Sequence, residues 1–349
     1  MNQSPPTPQY LVHAGDPLRD RDTVLSIWWG NLGRTDRIAA KYDWFYLGCP
    51  HGAPLLQLLQ ETRTGQWVGT ACAGRRRMRH RGRDLDAGVL VDLAVLPEHR
   101  SLGPALMLQQ GLIDAGREQV DVLYGFPNPK AAAVFKRMGY QQATHLVRYA
   151  RVIRHARYLR ARMPEWLAPA AGWLLDTGVA LRDGWRRWHG PRLRTEWGNR
   201  ADPRMDALWA AASQGDGVLA VRDSVHAKWR FDDSPLATTR YLWITSPGSH
   251  ALKAWFAVQV EDATLHVRDF WSDNGAHGLT VHYVQALIAA ARAAGHGSVS
   301  VEITGPEGQL QGWREAGFSE RSQRPVFVRW NLANATEPVW FLTSADEDE

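Results

Sequence analysis

The run VDLAVLPEHRSLGPALMLQQ, residues 91–110, passes from strand to helix within a few positions. The apolar residues up to Leu96 predict a strand that Pro97 stops. Leu102, Leu106, Gln109 and Ile113 recur at helical spacing, so a helix opens near Leu102. Between them lies the short turn Arg100-Ser-Leu-Gly103-Pro-Ala105. A turn of this kind aims main-chain N–H groups and the positive end of a helix dipole into one small space. That makes a phosphate or pyrophosphate site without any special side chain. Gly103 lets the backbone approach the anion, Ala105 keeps the helix from blocking it, and Arg100 can add a two-pronged contact.

Outward from this run, the pattern predicts a helix over 22–29 capped by Asp22, strands over 55–60, 66–73 and 84–96, and a helix over 102–117. A strand over 120–125, a helix over 129–138 and a strand over 144–151 follow. The chain then repeats itself. KYDWFYLGCP (41–50) is answered by HAKWRFDDSP (226–235), each with Pro six positions after its Trp, and FKRMGY (135–140) is answered by WREAGF (313–318). Two landmarks in one order at nearly one offset predict two homologous units. In the second, strands are expected over 240–244, 252–260, 264–271, 298–303 and 325–330, with helices over 277–294 and 307–316. Antiparallel strands followed by strand–helix–strand–helix–strand give an α+β fold. The expectation is two tandem α/β/α units with mixed, mainly antiparallel sheets, joined by a helical linker. The boundaries read as 1–150, a linker over 151–199, a second unit over 200–335, and an acidic, loose tail over 336–349.

The loop after the strand resembles the acyl-CoA pyrophosphate loop of the GNAT superfamily of N-acetyltransferases, whose pattern is Arg/Gln-x-x-Gly-x-Gly/Ala. A second motif adds to it. Asn128-Pro-Lys-Ala131-Ala-Ala-Val-Phe135-Lys-Arg-Met-Gly139-Tyr140 is similar to the superfamily's Asn-x-x-Ala-x-x-x-aromatic-x-x-x-Gly-aromatic run, at the right distance downstream. The resemblance covers about two-thirds of the first unit. It implies acetyl-CoA as cosubstrate, its pantetheine arm pairing with backbone near Leu93 and Val95. It implies the pyrophosphate on the amides of Ser101, Leu102, Gly103, Ala105 and Leu106 beside Arg100, with Asn128 and Phe135 on the next helix facing the arm. An amine then attacks the thioester directly. Asp92 matches the strand position where many members carry a Glu base; the plainer reading is a strand-end polar residue with a backbone partner. Two departures stand out. The position of the usual Tyr acid holds Phe135, leaving Tyr124 and Tyr140 as nearby candidates, and Pro104 removes one amide from the loop.

The corresponding stretch of the second unit, FWSDNGAHGL (270–279), has two glycines but no basic residue and no such loop. It is expected to keep the fold and lose the cofactor, completing the cleft or an interface.

The rest of the chain sets bounds. Hydrophobic residues are 44% and charged residues 22%, as in globular proteins. The two cysteines, Cys49 and Cys72, form no CxxC pair, so a disulfide scaffold is excluded and a reduced, cytoplasmic setting is expected. The opening MNQSPPTPQY lacks the order of a secretory leader, and the longest apolar stretch, 166–175, is too short to span a bilayer. The thirteen histidines make no HExxH or HxH, so no metal is expected. From Arg148 to Arg200 twelve arginines face four acids (Glu165, Asp176, Asp183, Glu196), while the whole chain is only +5. Val152, Ala156, Leu159 and Met163 form one apolar stripe; Trp166, Ala170, Trp173, Leu181, Trp185 and Trp188 form another. These stripes either pack on the sheets or meet an anionic membrane surface peripherally. Nucleic acid is not expected. The leading expectation is an acyl-CoA-dependent N-acyltransferase acting on a small-molecule or glycan amine, first an amino sugar or polysaccharide precursor. A Fem-type aminoacyltransferase fed by aminoacyl-tRNA and a non-catalytic CoA-binding or scaffold protein stand as alternatives.

Overall fold

The computed structural model describes residues 8–33, 35–155, 159, 164, 167–332 and 338–347. The first half runs β1 (Tyr10–Gly15), α1 (Arg21–Trp28), α2 (Ile38–Tyr42), a π-helical turn (Asp43–Leu47), β2 (Leu55–Glu61), β3 (Trp67–His80), β4 (Arg83–Val95), α3 (Leu102–Gly116), β5 (Val122–Gly125), α4 (Pro129–Arg137) and β6 (Gln141–Val152). Helix α5 (Ala168–Trp188) follows. The second half runs β7 (Arg194–Gly198), α6 (Arg204–Ala211), β8 (Val218–Ala220), α7 (Ser224–Ala227), a second π-helical turn (Lys228–Asp232), β9 (Arg240–Thr245), β10 (Leu252–Glu261) and β11 (Thr264–Ser272). Helix α8 (Val281–Ala293), β12 (Ser298–Ile303), α9 (Glu307–Glu315), β13 (Ser319–Trp330) and β14 (Trp340–Phe341) complete it.

The strands join into one mainly antiparallel sheet, ordered β1-β2-β3-β4-β5-β13-β6-β12-β11-β10-β9-β7. The expected pair of sheets is therefore continuous, and the reason is an exchange of last strands. β13 pairs with β5 of the first half, while β6 pairs with β12 of the second. Each half thus completes its sheet with a strand of the other. Helices α3 and α4 cover one face around Leu108, Leu112, Phe135 and Tyr140. Helices α1 and α2 cover the other, where Trp28, Tyr42 and Trp44 pack with Trp229 and Trp340 of the second half.

The repeated Trp sits at the centre of this junction. Trp44 and Trp229 stack with centroids 5.6 Å apart. Each indole Nε1 donates to the other's carbonyl, at 2.6 and 3.1 Å. Beside them His51 Nε2 meets His226 Nδ1 at 3.3 Å. Burial, reinforced by the Arg76 guanidinium, pushes the His51 imidazole down to about 4 and that of His226 well below its usual value. Both are neutral in the folded protein at neutral pH, whereas the unfolded chain takes up protons as pH falls through about 6.5. Stability is therefore expected to fall with pH over that window. From about pH 7 to about pH 5 the His51 share is about 2 kcal/mol. Thermal melts of His51→Gln should fall less steeply than wild type; parallel curves would remove the assignment.

Two local expectations are corrected. The first residue before α1 is Asp20, and Asp22 lies inside the first turn; Asp20 spends its carboxylate on Asp16 and Arg19 instead of capping. The acidic tail is not loose over its described part. β14 pairs with β8, and Leu342 to Asp346 are all buried. Thr343 and Asp346 close a capping box, and Asp346 Oδ2 accepts from buried Arg222 at 3.1 Å. Of the linker, Ala156, Arg157, Arg160, Arg162, Met163 and Trp166 lie outside the described residues.

Candidate active site

β4 and β5 pair in parallel only from Ala87 to Val89, opposite Val122 to Tyr124. Beyond that point they diverge. The edge of β4 that would have bonded β5 instead lines a slot of about 350 Å³, with Leu90 to Leu93 on one side and Asn128, Ala131 and Phe135 on the other. Divergence is fixed by a β-bulge. Between Thr70 and Cys72 of β3 the register slips by one residue of β4, and Asp92 adopts φ +53°. A positive φ is strained for a residue other than glycine, and a bulge re-aims the side chain it carries.

The bulge turns the Asp92 carboxylate into a buried cluster. Lys41 Nζ donates to Oδ1 at 2.9 Å and Tyr46 Oη donates to Oδ2 at 3.1 Å. Burial and the neighbouring carboxylate push the Tyr46 phenol far up, so it remains a donor. Thr70 holds the Asp92 carbonyl at 3.3 Å, and Trp28 Nε1 holds Thr70 at 3.2 Å. The carboxylate thus sits among side-chain donors, and it is the Asp92 carbonyl that Thr70 holds. Lys41 and Tyr46 were missed from sequence because their partner is 46 or more residues away.

Asp92, Lys41, Leu32 and Gly33 line the slot and also a second cavity of about 610 Å³. The far wall of that cavity belongs to the other half: Gln259, Glu261, His266 and Arg268. β10 and β11 slip register around Arg268, so both halves point a charged residue of a bulged strand into one space. His266 Nδ1 pairs with Ser300 Oγ at 2.9 Å, and burial, with the nearby Arg148 charge, lowers its imidazole. It is neutral at neutral pH.

The loop read as a phosphate mouth is open to solvent at its start. Ser101, Leu102 and Gly103 are exposed at the start of α3, Ala105 and Leu106 are half-buried, and Ser101 makes no side-chain cap. A Cβ built on Gly103 meets nothing within 4 Å. Three expectations for this loop are corrected. The Ser101 amide already donates to the His99 carbonyl at 2.8 Å. The Val95 carbonyl accepts from Asn31 at 3.2 Å and from Arg100 Nε at 3.1 Å, so the slot edge runs through Leu93 but stops short of Val95. Arg100 reaches Asn31 as well, bracing the turn from inside. Asn128 lies at the slot and also caps α4, its Oδ1 accepting from the Ala131 amide at 3.0 Å. Neither tyrosine proposed as acid faces the slot as a free donor. Tyr124 donates to the Asp346 carbonyl at 2.8 Å, and Tyr140 packs its ring 4.9 Å from Phe135 with its hydroxyl buried and unpaired.

In the second half a cavity of about 830 Å³ lies between the loop after β11 and α9, lined by Ala276, Leu279, Gln309 and Gly312 among others. Gln309 stands where Ala131 stands, and its Nε2 donates across to the Ala276 carbonyl at 2.5 Å. A Cβ on Gly278 would lie 2.5 Å from the Gln309 carbonyl, and one on Gly312 would overlap the Leu279 carbonyl. Loop and helix backbones touch at these points, at the edge of that cavity. Among the described residues no group of His, Cys, Asp or Glu is placed to hold a metal.

Residues 22–140 match the acetyltransferase (GNAT) family. No curated protein sequence matches the chain. A conserved protein of unknown function from Enterococcus faecalis, described as a probable N-acyltransferase, shares the fold with TM-score 0.62 at 10% identity, over 92% of this chain and 72% of that one. A GCN5-related N-acetyltransferase from Anabaena variabilis gives TM-score 0.62 at 13% identity over 93% and 73%. Saccharomyces cerevisiae N-myristoyltransferase with bound myristoyl-CoA gives 0.52 at 10% over 95% and 85%. At these identities the structural likeness is one of fold. The splayed strands, the bulge and the family match agree: residues 22–140 form an acetyltransferase domain of the GNAT family.

Proposed function

We propose that the chain transfers an acyl group, most simply acetyl, from CoA to an amine held between its two halves, read as homologous units over 1–150 and 200–335. One observation carries this: the β4–β5 slot and the larger cavity meet at Asp92 and Lys41, as a donor site and an acceptor site must. The amides at Leu102, Gly103, Ala105 and Leu106 would hold the pyrophosphate, where a helix start and open space at Gly103 suit a large anion. Leu90 to Leu93 would offer backbone groups to the pantetheine arm, and Asn128 and Phe135 its far wall. The thioester supplies an acyl carbon already activated toward amines. As the C–N bond forms and the C–S bond breaks, Asp92 accepts the proton of the attacking nitrogen. The second unit binds no cofactor and contributes the wall with His266 and Arg268.

A second reading gives the proton to His266. Both Asp92 oxygens are already engaged by Lys41 and Tyr46, whereas His266 is neutral in the same cavity. The two separate by mutation. Asp92→Asn is expected to lower kcat by about a hundredfold or more with acyl-CoA affinity retained, and His266→Gln by less than about tenfold. The reverse pattern would move the base to His266.

The acceptor chemistry follows the cavity, which mixes Arg37, Lys41 and Arg268 with Asp92 and Glu261, a lining suited to a polar amine such as an amino sugar. Calorimetric titration with acetyl-CoA, followed by screening amine acceptors by mass gain, tests the whole reading. Micromolar binding with a gain in acceptor mass supports it. An aminoacyl-tRNA-fed enzyme or a scaffold without a CoA site predicts no binding, and binding without transfer to any amine leaves the non-catalytic alternative.

A further inference from the structure

Helix α5 (Ala168–Trp188) turns its apolar side away from the protein. Leu167, Leu174, Leu181 and Trp188, spaced seven apart, are 37%, 65%, 69% and 87% exposed, and Trp173 and Trp185 beside them are each 66% exposed. The sequence stripe that was expected either to pack on the sheets or to face outward therefore faces outward over about 30 Å of helix. Its acids do the opposite. Asp183 is buried against Arg151 at 2.6 Å and Arg292 at 3.5 Å, and Asp176 is held by His155 at 2.6 Å. What remains exposed along the apolar stripe is cationic: Arg182 and Arg187, with Arg192 and Arg194 continuing past the helix. Arg187, Trp188 and Arg192 also edge a groove of about 400 Å³ against α8.

We infer that α5 is a docking face for an anionic lipid surface, independent of the acyl-CoA slot. Tryptophan and leucine on one side of a helix, with arginines along the border, are the composition that settles at the boundary between acyl chains and headgroups. No helix among the described residues is long and apolar enough to cross a membrane, so α5 lies in the surface plane. Charge complementarity selects this occupant over a second copy of the chain. A second copy of α5 would offer these arginines no free acid of its own helix, since both acids of the helix are already committed inward. Headgroup phosphates supply that counter-charge, and the groove between Arg187 and Arg192 has the size to admit one.

Flotation of the full chain with vesicles tests this. Binding is expected to vesicles of phosphatidylcholine mixed with phosphatidylglycerol, to weaken with salt, and to be slight with phosphatidylcholine alone. The triple variant Trp173→Ser, Trp185→Ser, Trp188→Ser should lose about tenfold or more in vesicle affinity, as should the double variant Arg187→Glu, Arg192→Glu. Because these side chains are exposed, both variants should keep the wild-type melting temperature and acetyl-CoA affinity. Absence of binding to the mixed vesicles, or undiminished binding by the triple variant, overturns the inference. So does concentration-dependent dimerisation that the triple variant abolishes while the wild type ignores vesicles, which would assign the face to a second copy.

Discussion

Gly103→Glu is expected to weaken acyl-CoA binding by more than about a hundredfold while leaving the fold intact. The two effects have opposite signs, which makes the variant informative. A side chain at residue 103 enters open space, so nothing in the protein has to move. A carboxylate in the first turn of α3 also suits the helix dipole, and replacing a helical glycine gains up to about 1 kcal/mol. The melting temperature should stay level or rise. The same carboxylate would stand a few ångströms from two phosphates, where like charges at an effective dielectric constant of about 20 repel by about 4 kcal/mol each before screening. Even half of that, summed over the two phosphates, exceeds the roughly 2.8 kcal/mol of a hundredfold loss of affinity. A titration showing wild-type affinity in a folded Gly103→Glu protein would remove the phosphate mouth from α3.

Ending the chain before Val339 should yield no folded protein. Arg76, Arg222 and Arg230 are almost fully buried, and the C-terminal segment gives each of them a partner. Arg76 donates to the Glu347 carbonyl at 3.0 Å, Arg230 to the Ala345 carbonyl at 2.8 Å, and Arg222 to the Asp346 carboxylate at 3.1 Å. The guanidiniums also lie over Trp229, Trp44 and Phe341 at 4.7, 5.4 and 4.7 Å from the ring centres. Removing the segment strips partners from three buried charges at once and exposes the Trp44–Trp229 junction. Breaking one buried pair costs about 3–5 kcal/mol, a large part of the 5–15 kcal/mol that holds a typical domain. Asp346→Ala removes one of these partners while Arg222 keeps Asp269 at 2.8 Å, so it should fold with a smaller stability loss, about 1–3 kcal/mol, in denaturant melts. Asp346→Asn, which keeps a carbonyl toward Arg222, should lose less. Wild-type stability in Asp346→Ala would show that the segment covers the junction without holding it.

Much of the local structure was legible because it rests on short-range rules. Pro97 ends β4, helical spacing opens α3 at Leu102, and the order of elements around the loop follows. Trp44 and Trp229, the landmark tryptophans of the sequence, meet at the junction of the two halves. Their mutual hydrogen bonds give the physical reason why Trp is needed at both places. The strand exchange was not legible. β6 has the same alternation whether it pairs with β5 or with β12, so only the assembled sheet distinguishes the two. The buried C-terminus was misread for a related reason. A run of acids reads as solvated, but here Asp346 answers Arg222, which lies 124 positions earlier.

The site divides the same way. The loop from Leu102 to Leu106 and the bulge residue Asp92 are contiguous with recognisable motifs, and the fold brings Asp92 to one slot with Asn128 and Phe135. Lys41, Tyr46, His266 and Arg268 line or brace the same space but come from three other elements, with no spacing rule to link them. Val95 and Ser101 were misplaced because main-chain groups that look free in a sequence can already be bonded to their neighbours.

The most direct measurement is a crystal structure of the full chain soaked in CoA. Electron density for the two linked phosphates over the amides of Leu102, Gly103 and Ala105, with the arm running past Leu93 toward Asp92, is the predicted result. Density for the nucleotide anywhere else, or a saturating soak that leaves α3 and the slot without it, would contradict the account.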